Sequence, residues 1–311
     1  MTAVAGRQQQ LDAAYRHCAA IAARYGKSYH LATRLLTADR RPAVHALYAA
    51  ARTADDLVDL PGADPAGDLA AWSAAALTEL AAGWSDDPVR LALVDTYRRH
   101  DIPVEHLVDF LAAMTSDLEV TGYATMDALD RYMWGSAAVI GLQVLPVLGT
   151  APGVARTDAE PYAIALGEAF QLTNFLRDVA EDIDRGRVYL PADLMAAHGV
   201  TREQVAEKRH DDRFAALMRE MVAVVRRRYD DAVPGTALLA PESRDCVRAA
   251  TALYGGILTE IERADYRVLE RRVSVSKPRR LAVFARRLTA AQLARVRVTI
   301  AKPNSRSSTG A

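Results

Sequence analysis

The chain has 311 residues, half of them apolar and a quarter charged, which is enough to bury a large core in one or two domains. Its 39 basic and 39 acidic side chains balance, so nothing in the overall charge points to nucleic acid. Few aromatics and almost no alternating strand-like runs exclude a β protein and favour an all-α one. The two cysteines, Cys18 and Cys246, lack metal-ligand spacing, and the seven His form no HExxH, so zinc is not expected and a reduced cytoplasmic setting is. Residues 1–10 are polar and do not read as a signal peptide.

Helical periodicity starts near Leu11 and runs to Tyr25, where Gly26 interrupts it. Ser28 is the expected N-cap of the next helix. A helix after Arg40 and Arg41 ends at Pro61-Gly62, and 61–68 reads as a short loop. Further helices are predicted over 68–83, 88–99, 103–119, 126–149, 158–183, 212–232, 243–271 and 277–290. Gly and Pro mark the breaks between them. The simplest organisation is one helical domain over 1–300, with a disordered tail over 301–311.

Within 131–149 the sequence RYMWGSAAVIGLQVLPVLG is nearly all apolar. It is short for a membrane span, contains Gln143 and is broken by Pro146, so it is predicted to be a buried core helix. Its small residues leave space along one side, for a neighbouring helix or for a long apolar substrate.

The chemistry concentrates in LGEAFQLTNFLRDVAEDIDRGRVYLP, residues 166–191. On a helix, Gln171, Asn174, Asp178 and Asp182 fall within an arc of roughly 80°. Such a stripe can be a solvated outer face. Here amides, not Lys or Arg, accompany the acids, which suits a ligand set better than surface ion pairing. Gly167, one turn earlier, leaves room for a close approach to the backbone. A second acid pair, Asp55 and Asp59, lies in ALYAAARTADDLVD, with Tyr48 and Arg52 in the same arc of about 60°. Carboxylates at i,i+4 suit Mg²⁺, and two facing pairs would clamp a diphosphate leaving an allylic carbon. Arg185 and Arg187 follow the second pair, placed either to meet phosphate oxygens or to pair with Asp184 or Glu181. Eleven of the 39 Lys and Arg, and no acid, lie after Glu270, leaving 28 against 39 before it.

Taken together, KSYHLATRLL, RRPAVHALYAAARTADDLVD, YMWGSAAVIG, LGEAFQLTNFLRDVAEDIDRGRVYLP and YGGILTEIERADYRVLERRVSVSKPRRL resemble, in order, the blocks of the squalene/phytoene synthase family of head-to-head prenyl transferases. The resemblance spans roughly Leu11 to Leu281. Ala50-Ala51 departs from the family's usual Phe-Cys, and Tyr29 stands where Phe is usual. Neither departure touches a metal ligand. The resemblance implies a helical isoprenoid synthase bundle with a central cavity, and a two-step reaction through a cyclopropyl diphosphate. It implies condensation of two geranylgeranyl diphosphates to phytoene, the first committed step of carotenoid biosynthesis. The alternative is a squalene, hydroxysqualene or dehydrosqualene synthase acting on farnesyl diphosphate.

By the same resemblance the metal ligands are Asp55, Asp59, Asn174, Asp178 and Asp182, for Mg²⁺ with Mn²⁺ as a substitute, and no nicotinamide cofactor is expected. Tyr48 and Arg52 join the four acids as catalytic residues. Ser28, Tyr132, Gln171, Asn174, Arg177, Arg187, Tyr189 and Tyr254 line the cavity or meet the diphosphate. A head-to-tail chain-elongating synthase is disfavoured because no Gly-Lys-Arg site is present, and a non-enzymatic helical scaffold leaves the amides in the stripe unexplained. Peripheral membrane contact is expected through the basic stretch after Glu270, with Leu281, Val283, Phe284, Leu288 and Leu293 as an apolar edge. Downstream carotenoid enzymes are candidate partners.

Overall fold

The computed structural model describes residues 2–59, 62 and 64–288, with side chains from Gly6 onward. In chain order the helices are α1 (Thr2–Tyr25), α2 (Lys27–Thr33), α3 (Arg41–Asp59), α4 (Pro65–Ala82), α5 (Pro88–His100), α6 (Glu105–Ser116) and α7 (Met126–Met133). Then follow α8 (Val139–Leu148), α9 (Arg156–Asp184), α10 (Ala192–Ala197), α11 (Arg202–Ala206), α12 (Asp212–Ala232) and α13 (Pro241–Arg263), with a further helical run at 277–288. Among the described residues there is no strand, only two isolated bridges, Gly122 with Val188 and Thr150 with Leu239. The all-α expectation holds.

The helix starts follow from capping chemistry. Asp64, Asp87, Thr125, Thr201 and Asp211 each accept a hydrogen bond from a backbone N–H three residues on, satisfying a donor the helix leaves free. Ser28 does not act this way: Gly26 occupies the N-cap of α2, without a side-chain cap, and Ser28 lies inside the first turn.

Other boundaries also differ from the sequence reading: the first helix starts at Thr2 and not near Leu11, and the helix expected to reach 119 ends at Ser116. The predicted helix over 126–149 is divided by a π turn, Trp134–Ala138, where Gly135 packs against the Asp109 carbonyl of α6. The helix predicted to reach 271 stops at Arg263, because Asp265 and Tyr266 adopt left-handed backbone angles (φ 51° and 57°) that no Gly or Pro announced. Helix α4 starts three residues early, from Asp64-Pro65, a capping residue followed by a proline that needs no donor. Two short helices, α10 and α11, occupy a stretch read as irregular. The expected tail disorder and Leu293 lie outside the described residues.

Helix α9, 29 residues long, is the axis of the molecule and packs against α8, α12, α13 and the π turn. Two buried cores flank it. One is built by α1 to α6, α8 and the N-terminal half of α13; the other by α7, the C-terminal half of α9, α12 and the chain through Val275. Leu166, Phe170 and Tyr132 pack against both. The small residues noted at 135–141 serve helix contact. A Cβ on Gly141 would stand 2.2 Å from the Ala163 carbonyl oxygen, and one on Gly167 2.5 Å from that of Ala137. The approach expected at Gly167 is therefore that of the neighbouring chain, not of a ligand alone. The segment 131–149 is core: no helix among the described residues is long and apolar enough to cross a membrane.

Candidate active site

Helices α3 and α9 carry their polar ladders to their C-terminal ends, and those ends meet. The Arg187 guanidinium donates from Nη1 to Asp59 Oδ1 at 2.7 Å, and Arg185 Nη1 stands 3.7 Å from Asp59 and 3.8 Å from Asp182. Arginines after α9 thus bridge the two acid pairs, 120-odd residues apart in sequence. The alternative in which these arginines serve Asp184 and Glu181 is not what forms: Lys208 takes Asp184 at 2.6 Å and Arg272 takes Glu181 at 3.1 Å.

The remaining predicted residues fall around this junction. Arg52 donates to Asp55 at 3.2 Å and also pairs with Asp56. Arg177 Nε donates to Asp178 Oδ1 at 2.7 Å, and Arg272 Nε reaches the same oxygen at 2.9 Å. The Asn174 amide nitrogen lies 3.5 Å from Gln171 Oε1, on the same face of α9. Tyr48 stacks on Tyr29 with ring centroids 5.0 Å apart, and Tyr254 meets Phe170 in a tilted pair at 4.6 Å. Tyr189 lies flat on Phe175 at 3.9 Å, with Tyr132 and Tyr123 completing a box of aromatic rings. Ser28 stands apart in the first turn of α2, beside Tyr29; among the described residues no hydrogen bond links it to either acid pair.

Residues the sequence reading missed complete the site. Buried Asp117, just past α6, accepts a hydrogen bond from Tyr132 Oη at 2.8 Å, while its other oxygen has no partner. Burial pushes its carboxyl up to about 6. A lone Asp at a helix end carries no spacing signal, so only packing could reveal it. Phe170, Tyr123 and Arg272 were likewise invisible as site residues.

Electrostatically the junction is short of positive charge. The Asp182 carboxyl is pushed up to about 8, by burial first and by Asp178 second, against the pull of Arg185. Asp55 is raised in the same direction, to about 6, by the protein packed around it and by Asp59. Its side chain keeps 46% of its surface in water, so Asp182 carries the larger effect. The C-terminal ends of α3 and α9 add negative helix-dipole potential. Among the described residues no three of His, Cys, Asp or Glu converge tightly enough to hold an ion alone. Paired carboxylates and an Asn amide fit Mg²⁺ in its usual mode, one or two carboxylates completed by substrate phosphate oxygens and water.

Below the junction the α9 face turns apolar. Phe170, Gly167, Leu166, Ala163 and Ala159 line a cavity closed on other sides by Tyr29, Val44, Ile140, Val247 and the 3₁₀ turn Val233–Leu238. The Tyr29–Tyr48 and Phe170–Tyr254 pairs stand between this cavity and the acids.

An all-α bundle that sets paired acid helices over an apolar cavity has the architecture of an isoprenoid diphosphate enzyme. Residues 22–279 match the family profile described as squalene/phytoene synthase. Phytoene synthase 2, chloroplastic, of Solanum lycopersicum is 38% identical over 275 residues, covering 87% of this chain and 88% of that protein. Phytoene synthase 1, chloroplastic, of Arabidopsis thaliana is 36% identical over 283 residues, covering 90% and 67%. Among solved structures, a dehydrosqualene synthase in complex with ligand superposes with a TM-score of 0.84 at 25% identity, covering 92% of this chain and 99% of that one. A squalene synthase from Alicyclobacillus acidocaldarius shares the fold, with a TM-score of 0.74 at 22% identity, covering 82% and 95%. The chain belongs to the squalene/phytoene synthase family, and it is a prenyl transferase.

Proposed function

We propose that this enzyme condenses two geranylgeranyl diphosphates head to head into phytoene, committing carbon to carotenoids. One observation carries the reading: a single face of α9 runs from Asp182 and Asp178 through Asn174 and Gln171 to Gly167, Ala163 and Ala159. That ladder matches a substrate with an anionic head and a long apolar tail. The phytoene synthases at 36–38% identity favour the twenty-carbon substrate over farnesyl diphosphate.

In this reading Asp55, Asp59, Asn174, Asp178 and Asp182 hold Mg²⁺, or Mn²⁺ in its place, which supplies positive charge to the departing diphosphate. Arg52, Arg177 and Arg187 release their carboxylates to phosphate oxygens and orient the leaving group. The allylic cation left behind alkylates the second substrate's double bond, and loss of a proton to the released diphosphate closes the ring of the cyclopropyl diphosphate, which then ionises and rearranges. Tyr48 and Tyr254 near the acids, and the Tyr123, Tyr132, Phe175 and Tyr189 box, offer ring faces that stabilise a cation without capturing it. The buried Asp117 carboxyl adds negative potential beneath the box. Walls of Ala, Leu and Val keep out the water that would quench the cation. Released diphosphate is the base for the final proton.

The test is incubation with geranylgeranyl diphosphate and Mg²⁺ alone, with product mass as the readout. A forty-carbon hydrocarbon should appear, and adding NADPH should change nothing. Product that requires NADPH, or arises only from farnesyl diphosphate, moves the enzyme to the squalene or dehydrosqualene branch.

The product is wholly apolar, and we infer a peripheral membrane site for its delivery, where downstream carotenoid enzymes could take it. The surface differs from the one drawn from sequence. Val283, Phe284 and Leu288 pack back onto the body, Arg279 pairs with Glu260 at 2.6 Å, and Arg272 serves the acids of α9. Leu281, 60% exposed, remains outward beside the basic residues Lys277 and Arg286. Each basic group near an anionic leaflet contributes on the order of 1 kcal/mol. Flotation with anionic vesicles should show binding that salt weakens and that Leu281→Asp with Arg286→Glu reduces; equal flotation with neutral vesicles would remove the electrostatic surface.

A further inference from the structure

We propose that the Tyr162 ring is the end stop of the prenyl-chain cavity, and that glycine at 235 is what lets the ring lie there. The inference rests on the prenyl diphosphate reading and adds the residue that measures chain length.

At the cavity's polar end the Tyr29–Tyr48 and Phe170–Tyr254 aromatic pairs mark where the chain leaves the acids. At the other end the lining residues are small on both facing elements. Helix α9 presents Ala159 and Ala163, and the end of α12 with its 3₁₀ turn presents Ala232, Gly235 and Thr236. Leu148 and Leu239 line the same end from the side, so the gap left between the small residues of these two elements lies beside Tyr162. Tyr162 is the one large side chain among these lower lining positions of α9, and it packs against Gly235 of the facing turn.

The fit is tight on one side. A Cβ added to Gly235 would stand 2.1 Å from Tyr162 Cβ and 2.4 Å from Cγ, so any side chain at 235 must displace the tyrosine. Gly235 is buried and Tyr162 half-buried, as expected of a ring with one side on the cavity and another toward solvent. The 16 residues from Asp178 down to Tyr162 span about 24 Å of helix axis. That depth suits a chain of four isoprene units hung from the acids, and leaves a three-unit chain short of the floor. A fifth unit has to pass the ring.

The discriminating experiment is a competition among fifteen-, twenty- and twenty-five-carbon diphosphates with the wild type, Tyr162→Phe, Tyr162→Ala and Gly235→Ala. One methylene in an apolar pocket is worth roughly tenfold in selectivity, and here a whole isoprene unit is at stake. Tyr162→Ala should raise the twenty-five to twenty ratio of kcat/KM at least about tenfold. Tyr162→Phe, which keeps the ring, should leave it within about twofold. Gly235→Ala, which pushes the ring inward, should move preference toward the fifteen-carbon chain. Where Tyr162→Ala loses native helical circular dichroism, Tyr162→Leu takes its place. An unchanged ratio in a folded Tyr162 variant lacking the ring overturns the proposal. Wild-type turnover of the twenty-carbon substrate tests the proposed function separately. If turnover is absent, the ratio of dissociation constants for unreactive thiolo-diphosphates of the three lengths gives the same reading of the ring.

Discussion

Replacing both carboxylates of either pair, Asp55 with Asp59 or Asp178 with Asp182, by Ala should abolish turnover. In the proposed reaction each pair stands where negative charge develops on a departing diphosphate, and removing such stabilisation commonly costs about 3 kcal/mol or more, a hundredfold in rate. Losing two ligands at once should exceed that. The variants are informative because the pairs do little packing: helical circular dichroism should be retained. Arg187, whose partner is Asp59 at 2.7 Å, is left uncompensated in the first variant, so some loss of thermal stability is expected there. Isosteric Asn replacements separate the two effects, since they keep shape and hydrogen bonding while removing charge. Near-normal activity in either double variant, with substrate saturating, would sink the clamp.

Asp182→Asn should make the metal-free enzyme more stable at pH 8 while lowering its turnover. The carboxyl has an ordinary value of 3.8 and is pushed up to about 8, chiefly by burial and then by Asp178. Between these values the native state binds more protons than the unfolded one, so unfolding free energy falls as pH rises through that window. The strain is fully present above the folded value and absent below the unfolded one. Thermal melts in EDTA from pH 4 to 9 should therefore show wild-type stability declining across the range, with a flatter decline for Asp182→Asn. The gain at pH 8 is on the order of a few kcal/mol, the opposing pull of Arg185 being already contained in the raised value. Asp117 and Asp55, each pushed up to about 6, keep a residual slope in the variant at the acid end. Parallel pH profiles, or a destabilised Asn variant, would show that Asp182 is not held under charge strain. A site that trades stability for function in this way should regain it when Mg²⁺ and diphosphate are added, most at high pH.

Much of this was legible without coordinates. Hydrophobic spacing is a local property, so the long helices and their polar ladders at Tyr48, Arg52, Asp55 and Asp59, and at Gln171, Asn174, Asp178 and Asp182, could be drawn from i,i+4 geometry. The class of chemistry followed from residue type: paired carboxylates, with amides and not Lys or Arg beside them on the 171–182 stripe, and arginines close by. Boundaries set by local chemistry that was recognised held as well, as at Pro88 and Asp184 to within two residues.

Other features were settled by packing alone. Ser28 lost its capping role because the chain turns into α2 two residues earlier, at Gly26. Asp265 and Tyr266 end α13 in left-handed geometry that their side chains do not favour, so the surrounding fold imposes it. Asp117 joins the site only because α6 and α7 bring it under Tyr132. Arg185 and Arg187 bridge to Asp59, and Arg272 reaches Asp178, across sequence distances that no periodicity encodes. Sequence alone determined which helices form and which side chains share a face, because those depend on neighbours a turn away. Which faces meet, which acid is left buried among like charges and where the cavity ends depend on contacts between distant segments, and only the tertiary structure decided them.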